Sequence, residues 1–600
     1  MLSLLNTTFT NTLRQGFTLI GRLLSKLKAR STYFENQTCT KATLKEIESA
    51  ELLEKASIIT TPTAYSDGVL HSVKPEQTLG SELITNGGFD TSIPLGTAGS
   101  GWKFIDSSRE GSSGEYYQGG VRLTRTNNLS RFRPLVGNTT SISFFPLESR
   151  NYVISYDLIS TTDSNRNVSM SAGGQSVQIP GTVGSHTVYF KNGGTSTLCQ
   201  FSPGNNTDIV LDNISMKEVI DADFTFTRNN PGTRVNASGN IESVGVDLPR
   251  IDYKGGCGSL LLEPSRTNLV TYSEDFSQST WVKQSAGVAS APIITSNYAI
   301  SPDGTLNADR VVFDINGGTT SSDFSQVADA ITNSIGDVTN SVWIKSNTES
   351  NYNMSFVNPS ANYISIVVTT EWQRFDVTST TSSTASAFRL RLRGSEATSD
   401  YADVSVWGAQ VEQGSYPTSY IPTQGVAATR GADLATDAGS SDLISSTEGG
   451  LYLGFAALTS INNFESISLS DGGLTERIRF MVSNVENRIS IEVDTGNGSG
   501  FFRNSTLSDI TAFNKIAIKY KQDDYAIWIN GVEEITVTTA AVPTLNELTF
   551  TAGGISGAKF IGNVKCAAVF KEALTDSELE ALTSWVSFSD MANAQLYTIQ

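Results

Sequence analysis

Two histidines, His71 and His186, are the only imidazoles in 600 residues, and neither sits beside a nucleophile motif. Without a G-x-S-x-G elbow near either, a Ser–His–Asp triad has no place to form. The chain also lacks a P-loop, a G-x-G-x-x-G turn after a strand and a C-x-x-C pair, so nucleotide and metal-knuckle chemistry are not expected. Cys39, Cys199, Cys257 and Cys566 are too far apart for a zinc site or a compact disulfide framework and read as free thiols, most simply kept in a reducing cytoplasm. What remains is binding chemistry. Sugar sites use aromatic faces that stack on pyranose rings, with a few polar groups to fix orientation. Trp102, Tyr116 and Tyr117 lie in Gly/Ser-rich stretches and Trp281 lies near a loop, so these four are the candidate glycan-binding rings. Trp343 and Trp407 sit inside apolar-alternating runs and are expected in a core.

A second set of chemical residues is the arginine series Arg228, Arg234, Arg250 and Arg266, interleaved with Glu242, Asp247, Asp252 and Glu263. They belong to one run, Asp223 to Leu269, built of short extended pieces and turns. Phe224 and Phe226 alternate with threonines at the period of a half-buried strand, and Pro231-Gly232, Ser238-Gly239-Asn240 and Gly255-Gly256 are turn chemistry. The expected role of the arginines is ion pairing, within or across subunits. FTFTR, TRVN followed by SGNIE, LPRIDY and LLLEPSRTNL, in that order, resemble a connector of bacteriophage virion proteins of the fibre and tail type. The resemblance implies a structural role in a virion, assembly in the host cytoplasm and a homotrimer.

Composition limits the partners. With 42 Lys+Arg against 60 Asp+Glu the net charge is −18, a field that repels nucleic acid and anionic lipid. No apolar run reaches the 18 or more residues of a membrane span. The basic residues Lys26, Lys28 and Arg30 follow the apolar run 17–24 rather than precede it, which argues against a signal peptide. Abundant Gly, Ser, Thr and Asn with a 38% apolar fraction is the signature of an all-β chain with many turns.

The elements that must position these residues follow in order. Residues 1–56 are helical, with Ile20, Leu23, Leu24 and Leu27 on one face, and are expected to dock on other virion structural proteins. Residues 57–79 are the first part of the connector. Residues 80–220 read as an inserted domain, which requires its two ends to lie close together. Its opening NGGF, the following Trp102 and its closing VLDNIS resemble a carbohydrate-binding jelly roll. That resemblance implies a structural calcium between the opening loop and the closing strand, where the matching oxygens are Asp90 and Asp212. The connector resumes over 221–267. NLVTYSEDFSQSTW and DVSVWGAQVEQG repeat the opening and closing of the inserted block, so 268–420 is expected to be a second sandwich of the same class. Residues 421–444 read as a linker.

Residues 445–586 form a third β unit. Asn530-Gly531 marks a hairpin, and Thr575 with Glu578 forms a capping box, with Leu574 and Leu579 as its staple. NKIAIKYKQDDYAIWINGVEE and GNVKCAAVFKEALTDSELEAL are similar to the C-terminal half of laminin-G/concanavalin-like sandwiches. Glycosidases of that fold carry a Glu-x-Asp-x-x-Glu strand. Here Glu492-Val493-Asp494 begins the pattern, but Asn497 stands where the last Glu belongs, which removes an acid/base partner. Residues 587–600 are a C-terminal tail.

The expectation is therefore a mainly β chain of tandem β-sandwich (jelly-roll) domains with a short helical N-terminal anchor. The expected function is a non-enzymatic phage fibre, of head or tail, that attaches to host-surface glycans without a cofactor beyond the implied calcium. A glycan-degrading tail enzyme and a cell-surface carbohydrate-binding adhesin are the alternatives.

Overall fold

Period-two alternation organises nearly every segment. Thr207–Ile220 is a 14-residue strand whose Ile209, Leu211, Ile214 and Met216 are buried. Tyr401–Gln413 plays the same part later in the chain. The computed structural model describes residues 56–584, together with Leu52 and Lys55, apart from short breaks of which 106–111 and 136–142 are the longest. The anchor residues Ile20, Leu23, Leu24 and Leu27 lie outside the described residues, as does the tail 587–600.

Residues 75–222 form one compact unit, and the chain before and after them forms a second. The 75–222 unit is a two-sheet antiparallel sandwich. One sheet has five strands and the other six, with Thr207–Ile220 central in the larger. Their facing sides share one core around Trp102, Phe132, Met170, Phe201 and Leu211.

In the other unit, residues 282–413 supply two five-stranded antiparallel sheets that close over a core containing Trp281, Phe313, Val342, Phe356 and Val406. The C-terminal sandwich pairs a five-stranded sheet with a nine-stranded one. That larger sheet takes strands from the connector. Ala56–Ser66 pairs with Gly562–Phe570 through Ala56 to Thr60, and Ser259–Leu262 pairs further along the same strand. The hairpin partner Val69–Lys74 brings the chain back, and the Ser72 N–H donates to Asp223 Oδ1 at 2.6 Å. The exit toward the 75–222 unit and the return from it are thus hydrogen-bonded to each other.

The hairpin at Asn530-Gly531 has both residues at positive φ, 47° and 88°, as a type I′ turn requires. Glu578 accepts from the Thr575 N–H at 2.8 Å, and Leu574 and Leu579 are both buried, so the capping box and staple open the helix Asp576–Ser584. Leu52 and Ala56 pack into the same cluster. Cys199 and Cys566 are buried thiols.

The segment 421–444 was expected to link. It pairs instead: Ala428–Arg430 with Arg266–Asn268, and Leu434–Thr436 with Thr225–Thr227. Proline-containing extended chain serves an edge strand as readily as a linker. These pairings assemble a buried ionic cluster. Asp433 accepts from Arg228 Nη1 at 3.0 Å and from Arg250 Nη2. Glu263 accepts from Arg250 Nη1 at 2.7 Å and pairs with the Arg430 guanidinium, whose Nη1 lies 3.0 Å away. The side chains of these five residues are 0–3% exposed. Backbone carbonyls take further guanidinium protons, those of Leu248, Val244 and Gly245 for Arg228 and of Pro264 for Arg430, while the Nε of Arg250 and of Arg430 are buried without a hydrogen-bond partner among the described residues. Gly232 sits where a Cβ would lie 3.2 Å from each of the three arginines. Burial alone would raise the Glu263 carboxyl, but the charges of Arg430 and Arg250 and two bonds from Ser419 hold it at about 2. Arg234 pairs with Glu242 at the surface, and Arg266 reaches Glu412 at 4.0 Å.

Removing one partner of a buried pair strands the other, whereas an exposed pair contributes little. Arg250→Ala should cost about 3–5 kcal/mol in urea unfolding, against about 0–1 kcal/mol for Arg234→Ala. Because the folded carboxyl of Glu263 lies below its unfolded value, its stabilisation is complete above about pH 4.5 and fades as pH falls toward 2. Equal losses in the two variants would show that the cluster is not what holds the connector.

Candidate carbohydrate-binding pocket

The sandwich of residues 282–413 carries an open pocket of about 540 Å³, lined by Tyr272, Glu274, Gln278, Asn307, Asp309 and Gln424 among others. Its floor is the loop that opens this sandwich. Asn268 pins the start of that loop: its amide donates to Ala409 O and Ile421 O, and its Oδ1 accepts from Val270 and Val411 N–H. The indole N–H of Trp281 donates to Tyr272 O at 2.8 Å, and the ring packs on Phe276 and Phe388 with centroids at 4.5 and 5.2 Å. Asp309 then ties two segments together, accepting from Phe276 N at 2.8 Å and Asn297 N at 2.9 Å.

The pocket is acidic and polar. Burial pushes the Asp309 carboxyl up to about 6, against its two N–H donors. Burial also raises Glu274, which accepts from Tyr420 OH at 2.8 Å and Asn307 Nδ2 at 3.1 Å. Asp275 accepts from the Ser277 hydroxyl and the Gln278 amide. Asn307 Oδ1 is buried with no hydrogen-bond partner among the described residues. Carboxylates, amides, hydroxyls and the Tyr272 ring converging in one concavity are the groups that hold a polyhydroxylated ligand. Both oxygens of Asp309 are committed to backbone N–H groups, so its structural work is to fix the loop.

The 75–222 unit is built by the same device. Trp102 Nε1 donates to Asn86 O at 3.0 Å, and its ring stacks on Phe132 at 4.7 Å. The Ile214 N–H donates to Gly87 O at 2.9 Å, as Ala409 donates to Ser273 O at 2.8 Å in the other sandwich. Each of these donors follows a residue at positive φ in its strand, Asn213 at 49° and Gly408 at 67°. The repeat seen in the sequence is therefore a shared way of locking the opening loop onto the closing strand.

This locking corrects two of the candidate rings. Trp102 and Trp281 are 0% and 1% exposed and belong to the cores, so they cannot stack on a sugar. The glycines near Trp102 are there for backbone closeness: a Cβ on Gly101, at φ +75°, would lie 2.0 Å from Thr85 O. Tyr116 is partly buried near Phe89, and Tyr117 is 37% exposed with the Arg122 guanidinium 5.0 Å over its ring. Asp90 is exposed, and Asp212 accepts from the neighbouring Asn213 N–H. Among the described residues no group of three or more His, Cys, Asp or Glu is arranged to hold a metal. Two carboxylates fall well short of the six or more oxygens calcium takes. Glu492 is bound by Arg477 at 2.9 Å and Arg479 at 3.3 Å, and Asn497 bonds within its own turn.

The pocket residues themselves were not singled out in the sequence. The density of Asp, Glu, Asn and Gln in SEDFSQ and SNYAISPDGTLNAD was the available signal.

No family model matches the chain, and no curated protein does. Among solved structures, it is similar to the CBM40 of the Ruminococcus gnavus IT-sialidase bound to α2,3-sialyllactose, at 14% identity over 25% of this chain and 93% of that one, with a TM-score of 0.22. Domain 4 of AbnA, a GH43 extracellular arabinanase from Geobacillus stearothermophilus in complex with arabinotriose, gives 12% identity over 28% and 83%, with a TM-score of 0.22. The binding domain of botulinum neurotoxin serotype D gives 10% identity over 25% and 39%, with a TM-score of 0.21. No helix among the described residues is long and apolar enough to cross a membrane.

If the two tryptophans hold loops rather than ligands, Trp102→Ala and Trp281→Ala should each destabilise their sandwich by about 3–5 kcal/mol, as large core truncations do. A thermal melt within a degree of the parent for either variant would contradict their place in the core.

Proposed function

We propose that this chain is a structural fibre or appendage protein of a bacteriophage virion that attaches to host-surface glycans. The glycan reading rests on the pocket bounded by Tyr272, Glu274, Gln278 and Asn307, which gathers one ring and several hydrogen-bonding groups in a concavity with a buried, unpartnered amide oxygen. The virion reading rests on the connector motifs between Asp223 and Leu269. In it the N-terminal segment docks on other virion proteins, the chain is a homotrimer, and the sandwiches project from the particle. Three copies of a weak site on one particle-bound assembly give avidity without a tighter single contact.

A second reading, a glycan-cleaving tail enzyme, has one observation in its favour: two carboxyls raised by burial, Asp309 and Glu274, line the same pocket. Against it, each is held by donors within the protein and neither presents a free pair of oxygens.

A glycan array probed with the full chain, Gln278→Ala and Asp275→Asn discriminates these readings. Binding to a bacterial surface glycan that weakens roughly ten-fold or more in either variant is expected. Unchanged binding would remove the pocket from the function, and release of new reducing ends from the bound glycan would favour the enzyme. For assembly, Leu52 and Ala56 belong to the C-terminal core, so the truncation to test stops short of both and removes residues 1–50. A chain lacking them should remain a folded trimer in light scattering and fail to join particles; a monomer, or normal incorporation, would count against this part of the proposal.

A further inference from the structure

The strand Ala385–Arg393 reads ASAFRLRLR, and its two faces differ completely. Phe388, Leu390 and Leu392 enter the core of the 282–413 sandwich, which leaves Arg389, Arg391 and Arg393 on the opposite face. This strand is the middle one of its sheet, flanked by Phe324–Thr332 with Val282–Ala286 beyond, and by Tyr352–Val357 with Tyr363–Val368 beyond. The register sets Gln284, Gln326, Arg391, Ser355 and Ser365 side by side, one from each of the five strands. At the usual strand spacing this polar row is about 19 Å long. The next row places Ala328, Arg389, Val357 and Tyr363 beside it.

The arginines of this face are unequally compensated. Arg393 has Glu396 at 3.3 Å and donates to Ser321 O at 2.7 Å, while Glu396 also accepts from Ser355. Arg389 and Arg391 have no carboxylate within ion-pair distance among the described residues. Arg391 lies 5.1 Å from the Tyr363 ring, and its Nε is buried without a hydrogen-bond partner. Burial first, then the adjacent Arg393 and Arg389, depress its pKa. Elsewhere on these sheets an outward arginine meets a carboxylate, as Arg122 meets Asp208 and Arg310 meets Asp403. The charge of Glu396, already engaged by Arg393 and Ser355, supports Arg391 from further off, but neither Arg391 nor Arg389 has an ion-pair partner of its own among the described residues, and an anionic ligand would complete them.

We propose that this sheet face binds a linear anionic polysaccharide, with Arg391 and Arg389 as forks for its carboxylate or sulfate groups. The planar guanidinium matches either group through two parallel N–H bonds. Gln326 and Ser355 are buried within the row, so the groups it presents are Arg391 at its middle and the exposed Gln284 and Ser365 at its ends, which supply amide and hydroxyl groups for sugar hydroxyls; groups spaced across five strands fit an extended chain better than a small anion. A nucleic acid is a polyanion as well, and the DNA competitor below separates it from a polysaccharide. None of these residues lines the pocket around Tyr272 and Asp309, so the two sites stand or fall separately.

The test is affinity electrophoresis of the full chain through gels containing polygalacturonate, dextran sulfate or neutral dextran, with single-stranded DNA as a competitor. Retardation by polygalacturonate or dextran sulfate and not by dextran is expected, and which of the two retards more assigns carboxylate or sulfate. Arg391→Gln and Arg389→Gln should each weaken that binding roughly 10- to 100-fold, while Arg503→Gln, on the C-terminal sandwich, should not change it. Arg391→Lys keeps the charge without the fork and should still lose most of the affinity. Gln278→Ala, in the pocket, should leave polyanion binding intact. Absence of retardation by both polyanions, variants that bind as the parent does, or competition by DNA at equal charge concentration would each overturn the proposal.

Discussion

Three arginines and two carboxylates, removed from water together, fix how the connector and the segment after the second sandwich are placed against each other. Arg228, Arg250 and Glu263 come from the connector, while Arg430 and Asp433 come from the segment after the 282–413 sandwich. A charge buried at this depth is tolerated only where its partners and hydrogen bonds are in place. Every chain segment that contributes a member is therefore held to one position. The connector must pass Gly232 between the arginines, and the 428–436 segment must return alongside it. Ser419 joins through its N–H and hydroxyl to Glu263, which ties the end of the second sandwich to the same point. The cluster thus supplies rigidity between modules where composition suggested flexible spacers.

Within the sandwiches, a different constraint places the opening loops. An opening loop rich in polar residues would be loose without a tertiary anchor. Trp281 and Trp102 provide it by filling the core while their indole N–H groups cap loop carbonyls. The positive-φ residue in each closing strand turns one N–H toward the same loop. In the 282–413 sandwich this leaves a pocket in which burial raises the Asp309 carboxyl to about 6 and raises Glu274 as well. The pocket lies at the loops, whereas the arginine row lies on a sheet face, so the two surfaces draw on separate parts of one scaffold.

Much of this architecture could be read from residue patterns. Alternation gave the strands, Asn530-Gly531 gave its hairpin, and Thr575 with Glu578 gave the final helix start, because each is decided by local chemistry. The echo between NGGFDTS and YSEDFSQ was also visible, and it corresponds to a shared hydrogen-bonding device. Exposure was not legible. Trp102 sits among glycines, which suggested a surface loop, yet those glycines allow the backbone close approach that buries it. The fourth and fifth members of the ionic cluster were missed because Arg430 and Asp433 lie more than 160 residues from Glu263 and Arg228, in a stretch that reads as a linker. The arginine row was equally hidden. AFRLRLR announces alternation, but only the register shows that neighbouring strands set no carboxylate opposite Arg389 and Arg391.

The closure between Ser72 and Asp223 has a mechanical meaning. Strand Ala56–Ser66 is stitched to Gly562–Phe570, and the returning chain is tied to the outgoing one before either reaches the 75–222 unit. A pull transmitted from the N-terminal side toward the C-terminal sandwich enters the nine-stranded sheet through this seam, along strands loaded in shear. Because the chain closes on itself at Ser72 and Asp223, a different module could replace residues 75–222 without altering how force enters that sheet.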